Sequence, residues 1–102
     1  TIVFDSTTRQ VLIAYVTHSV ANASNAHVHT GVSGVSGLAN VVNPMTAGTN
    51  VYAAPQGATL TAQNVLDFSA GNTYFNVHST NNSCPPAATC AAGEIRGQIA
   101  VQ

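Results

Sequence analysis

Short runs rich in Val, Ile, Thr and Tyr, broken by clusters of Gly, Asn and Pro, run through this chain. β-branched and aromatic side chains suit a pleated surface and the breakers supply turns, so the pattern predicts an all-β, antiparallel fold. Strands are expected near 1–5, 9–20, 25–30, 38–43, 50–54, 73–79 and 94–101, with a hairpin turn at TTRQ (7–10). A single short helix is expected near 62–70, within LTAQNVLDFSAGN (60–72). There Thr61 can cap the first turn, and Leu60 and Val65 stand at hydrophobic-staple spacing. Gly71 is placed to stop the helix in a left-handed conformation. Val65, Leu66 and Phe68 would form its apolar side and cover one end of a sandwich. GVSGVSG (31–37) reads as a glycine loop, its step too short for a repeat architecture.

The length, 102 residues, suits one domain spanning 1–102. Charged residues make 5% of the chain and the net charge is −1, which argues against a nucleic-acid partner. A hydrophobic share of 45% argues against disorder. Polarity comes from Thr, Ser and Asn, as in many secreted and cell-surface domains. No apolar run reaches the ~18 residues of a membrane span. The chain opens on TIVFD without an initiator methionine or signal peptide, which suggests a processed protein, a fragment or a missing start.

The two cysteines, Cys84 and Cys90, bracket a tight Pro-containing loop, SCPPAATC. A disulfide there would imply an oxidising compartment. The alternative is a pair of thiols in a cytosolic loop, and a two-cysteine metal site is disfavoured by the stiff spacing. Asn22 and Asn81 each begin a glycosylation sequon, a match that chance often produces in a chain rich in Asn and Ser.

Two of the four histidines fall in SNAHVHTG (24–31). In a strand, alternate side chains share a face, so His27 and His29 point one way and Val28 the other. In YFNVHS the same phase puts Asn76 and His78 on one face and Phe75 and Val77 on the other. If Val28, Phe75 and Val77 face the core, His27, His29 and His78 share the outer face and can meet on neighbouring strands. Three imidazoles suit Cu(II) or Zn(II). A strand histidine taken alone is more often a surface or satisfied core residue. His18 is a further candidate, as a fourth ligand, an outer partner or a surface residue, because alternation does not fix its face. Arg96 has two readings: beside the metal, attracting an anion, or in an ion pair with Glu94 or Asp67. The ion pair is the simpler one.

AHVHTG (26–31), the glycine loop, GATLTAQNVLDFSAGNTYFNVHS (57–79) and GEIRGQI (93–99) together resemble the CHRD (chordin-type) domain over about residues 10–100. That resemblance implies a secreted protein with a Greek-key β-sandwich or barrel similar to that of Cu,Zn superoxide dismutases, which carry a His-Val-His copper strand. It favours copper over zinc; Asn76, which shares the face of His78 by strand phase, and Arg96 are outer-partner or anion candidates on their own residues. It does not imply dismutase activity, since a bridging histidine and a His/Asp zinc cluster are absent. CHRD domains usually begin with one or two further strands, so a sheet edge is expected to stand open. A neighbouring subunit's strand could fill it.

Two functions follow as expectations. One is a secreted or cell-surface domain that binds copper, with zinc as the alternative, through His27, His29 and His78. The other is a structural subunit of an extracellular filament or adhesive matrix, self-assembled by strand complementation, with or without metal. A redox enzyme is the weakest reading: type-2 copper can do redox chemistry, but the sequence shows no substrate pocket, radical-forming residue or general base beyond the candidate ligands. A protease or glycosidase fails for want of a nucleophile–base pair or two clustered carboxylates.

Overall fold

The computed structural model describes residues 1–42, 45–82, 84 and 93–100. Seven strands and one helix run in the order β1 (Ile2–Phe4), β2 (Val11–Thr17), β3 (Ala23–Thr30), β4 (Thr46–Gly48), β5 (Val51–Ala53), α1 (Ala62–Ser69), β6 (Thr73–Ser79) and β7 (Ile95–Gln98). They form two antiparallel sheets, β1-β2-β5-β4 and β3-β6-β7. The expected all-β sandwich is therefore present. Neither sheet closes on itself among the described residues, so the superoxide-dismutase-like barrel is not confirmed.

The core lies between the sheets. Val11 and Ala14 of β2, Ala26 and Val28 of β3, Tyr52 of β5, and Phe75 and Val77 of β6 are all buried. Local chemistry explains the connections. Asp5 Oδ1 accepts the amides of Thr7 (2.7 Å) and Thr8 (2.9 Å), which folds the 5–10 turn between β1 and β2. These two amides also hold the Asp5 carboxyl below its ordinary pKa, Thr8 most strongly. A bulge follows: Phe4 pairs with Val11 but Val3 with Ile13. Leu12 is the extra residue, so Val11 and Ala14 point inward while Leu12 is 60% exposed.

Helix α1 begins at a reciprocal capping box between Thr61 and Asn64, each side chain accepting the other's backbone amide at 3.0 Å. It ends in a Schellman motif at Gly71 (φ 72°), with the Gly71 amide on Phe68 and the Asn72 amide on Asp67. Phe68 is buried and packs on Phe4 at 5.2 Å between ring centroids. Leu66, expected on the apolar side, instead faces solvent at 62% exposure.

Two strand expectations need correction. Residues 38–42 run beside β3 without forming a strand. Thr30 bonds to Leu38 and Val28 to Val42, so the segment spends four residues where β3 spends two and no continuous register forms. Conversely, β4 was not expected. Its Thr-Ala-Gly sequence lacks apolar alternation, and it pairs with β5 through a turn with Asn50 at φ 54°.

Between β1 and β7 the sandwich leaves a cleft of about 760 Å³, lined by apolar side chains that include Ile2, Val3, Phe75, Val77, Ile95 and Ile99. Both flanking strands have one neighbour among the described residues.

Candidate metal centre

The register of β3 on β6 sets the site. His27 lies opposite Asn76, His29 opposite Tyr74 and Asn25 opposite His78. Ala26, Val28, Phe75 and Val77 alternate with them and are buried in the core. Apolar alternation thus drives three histidines onto the other face. That face is not open: His29 and His78 are each only 8% exposed. Gly37 of the 31–37 loop lies against His29, and Arg96 of β7 lies over Tyr74 beside it.

The imidazoles converge. His27 Nδ1 lies 3.1 Å from His78 Nε2. One ligating nitrogen from each of His27, His29 and His78 falls within 4.8 Å of the others. Two imidazole nitrogens at roughly 2.0–2.1 Å from one ion, with an angle of about 100° between them, stand about 3.1 Å apart. The His27–His78 spacing therefore already fits co-ligation. The 4.8 Å spread exceeds the limit of about 4.2 Å that two such ligands reach only on opposite sides of an ion, so loading requires the widest pair to close by at least about 0.6 Å.

His29 carries the most specific signal. Its Nδ1 lies 3.0 Å from the Gly37 carbonyl, which can only accept, so Nδ1 bears the proton. That leaves a lone pair on Nε2, which is buried and has no hydrogen-bond partner among the described residues. A buried unsatisfied nitrogen is costly, and a metal ion would satisfy it. The donor set holds no carboxylate or thiolate, which suits copper or zinc over calcium or magnesium. Burial foremost holds the pKa values of His27 and His29 below the ordinary histidine range. For His27 the neighbouring His78 and His29 add to this. For His29, His78 and Arg96 act in the same direction against the raising effect of Gly37.

The remaining candidates sort differently. His18 is not part of the cluster. It follows β2 in the other sheet, stacks on Tyr52 at 5.3 Å, and its Nδ1 accepts the Val20 amide at 3.2 Å. Asn76 is buried between its register partners His27 and Arg96. Gly93 packs on its amide at φ 121°, where a β-carbon would collide. Arg96 makes neither expected ion pair. Glu94 accepts from Ser79 Oγ and from Asn81 Nδ2, bonds that lower its pKa, and Asp67 accepts from Gln63. Arg96 instead lies 3.4 Å over the Tyr74 ring and bonds to loop carbonyls.

The sequon residues bond to each other, Asn22 Nδ2 to Asn81 Oδ1 at 2.9 Å. Asn81 Nδ2 in turn donates to Ala21 and Glu94, so a glycan there, which takes one of its two N–H groups, would cost at least one of these bonds. The expected Cys84–Cys90 pairing falls on Cys90, outside the described residues.

Sequence reasoning missed Gly37 and Tyr74. Gly37 gives its carbonyl to His29 and its amide to the Tyr74 hydroxyl (3.0 Å), while Tyr74 stacks on His29 at 5.0 Å. The glycines of the loop signalled a close backbone approach, but not which carbonyl would meet His29, and the pairing of Tyr74 with His29 follows only from the register. A β-carbon on Gly31 would stand 2.7 Å from the Val35 carbonyl, and one on Gly37 would collide with that of Thr30.

Compared with known protein families, residues 1–99 match the CHRD domain. No curated protein and no solved structure matches the chain.

Proposed function

The chain belongs to the CHRD family, and from that premise we propose that it is a secreted or cell-surface domain that binds one copper ion through His27, His29 and His78. The observation that carries this reading is His29 Nε2, a buried, unpartnered lone pair beside two further imidazoles. Copper is favoured over zinc because neutral imidazoles bind Cu(II) more tightly in the divalent series. No helix among the described residues is long and apolar enough to cross a membrane. In an oxidising compartment Cys84 and Cys90 would form a cystine, and intact mass before and after reduction tests this. The reading is one of binding, and no redox turnover is proposed.

The test is elemental analysis of native protein with an EPR spectrum of the oxidised form. About one copper per chain with nitrogen hyperfine structure, lost in His27→Ala/His29→Ala, is the expected result. Failure to take up stoichiometric Cu(II) or Zn(II) would overturn it.

The cleft between β1 and β7 favours a second reading, a filament or matrix subunit whose cleft receives a strand from a neighbouring copy. Light scattering and hydrogen exchange test it. A monomer at all concentrations with β7 amides already protected would remove this reading.

A further inference from the structure

Arg96 and Gln98 are the side chains that β7 sends to the histidine face, opposite Asn76 and Tyr74. Neither is bonded to a histidine. Arg96 donates to the carbonyls of Val35 (2.9 Å) and Val32 (3.1 Å) and to Gln98 Oε1 (3.1 Å), with its guanidinium over Tyr74. Gln98 Nε2 donates to the carbonyls of Gly31 (2.9 Å) and Gly71 (2.8 Å). These bonds pin the loop 31–37 onto the sheet from its first residue to Val35. The loop's last residue, Gly37, then holds the His29 ring through Nδ1 and the Tyr74 ring through its hydroxyl.

We propose that Arg96 and Gln98 are positioning residues for His29. By pinning the loop they keep the Gly37 carbonyl on Nδ1, which fixes the tautomer whose Nε2 is the metal-binding atom. The inference rests on the metal reading above. Its chemistry is general: the hydrogen bond on one imidazole nitrogen decides which nitrogen is available to a metal, and losing such an outer bond weakens affinity. Two side chains on a third strand thereby set a ligand atom on the first, without touching it.

The decisive experiment compares wild type, Arg96→Ala, Arg96→Lys and Gln98→Ala, with Arg9→Gln as the control that removes the other cation. In chelator-treated protein at alkaline pH, 15N NMR of the imidazoles reports the His29 tautomer directly. Wild type should show a protonated Nδ1 and a bare Nε2. Arg96→Ala and Gln98→Ala should show mixed tautomers and bind Cu(II) about tenfold to a hundredfold more weakly by competition titration. Arg96→Lys, which can donate but lacks the planar fork, should fall between. Arg9→Gln should behave as wild type. An unchanged His29 signal with affinity within about twofold of wild type in Arg96→Ala and Gln98→Ala would overturn the inference. Equal weakening in Arg9→Gln would also overturn it, by assigning the effect to charge. Should Arg96→Ala not fold, Arg96→Lys and Gln98→Ala decide the same point. Should wild type bind neither copper nor zinc, the metal reading fails, while the metal-free spectra still decide whether Arg96 and Gln98 fix the tautomer.

Discussion

His29 faces away from the core yet is nearly as enclosed as a core residue, with one nitrogen bonded and the other bare. Its replacement should separate binding from stability. His29→Ala is expected to weaken Cu(II) binding at least about a hundredfold. It deletes an unsatisfied nitrogen along with its packing on Tyr74, so the metal-free protein should lose no more than about 2 kcal/mol by denaturant titration. The histidines also set a pH dependence. The pKa values of His27 and His29 are depressed in the folded state, chiefly by burial, so the unfolded chain binds more protons below about pH 6.5. Their contribution is present above that pH and is lost as pH falls through the folded values. The urea midpoint of the metal-free protein should drop between pH 7.5 and pH 5.5, and the drop should shrink in His27→Ala/His29→Ala. A midpoint flat across that range would contradict the enclosure of the site. At this scale the clustering of His27, His29 and His78 was legible because strand periodicity is strict and apolar partners fix its phase. His18 was not, because the bulge at Leu12 shifts the phase of β2 upstream of it.

At the scale of elements, what could be read was whatever carried its own local chemistry. Helix α1 announced itself through Thr61, the Leu60 and Val65 spacing and Gly71; Thr61 caps, Gly71 stops the helix, and Leu60 and Val65 both join the core. Thr61→Ala breaks one half of the capping box and should cost about 1 kcal/mol in thermal unfolding. It should leave Cu(II) affinity unchanged, since the helix contributes no ligand. A parallel loss of affinity would show the site to depend on global rigidity instead of on its loop. Elements defined by tertiary context were illegible. Residues 38–42 carry Val41 and Val42 into the core and look like a strand, yet their excess length along β3 prevents a ladder. β4 has almost nothing apolar to bury and exists because β5 offers it an edge. The cover over the histidines escaped sequence reading for the same reason. Gly37 acts through its backbone, and no residue type advertises a carbonyl.

Across the whole molecule one side is closed by backbone bonds from Val41, Val42 and Met45 to β3, and the other is poorly packed, with a cleft between β1 and β7. Gly97 stands at the centre of the poor side. It is the register partner of Phe75, lines the cleft, and a β-carbon built on it meets nothing within 4 Å. Glycine within a strand sacrifices both entropy and packing, so a β-branched side chain in the room the cleft leaves should stabilise an isolated subunit. Gly97→Val is therefore expected to raise the stability of the monomer by about 0.5–1 kcal/mol if the cleft is simply a packing defect. If the cleft instead receives a strand from a neighbouring copy, the same valine occupies the incoming strand's place. Assembly then falls, measured by light scattering over a concentration series, while the monomer gains stability. Copper uptake should be untouched in either case, because Gly97 faces the core side of β7 and the histidines lie on the other. A variant that still assembles as wild type does would show that the open side is not where copies join. A variant that loses copper would show that the two faces of β7 are mechanically coupled.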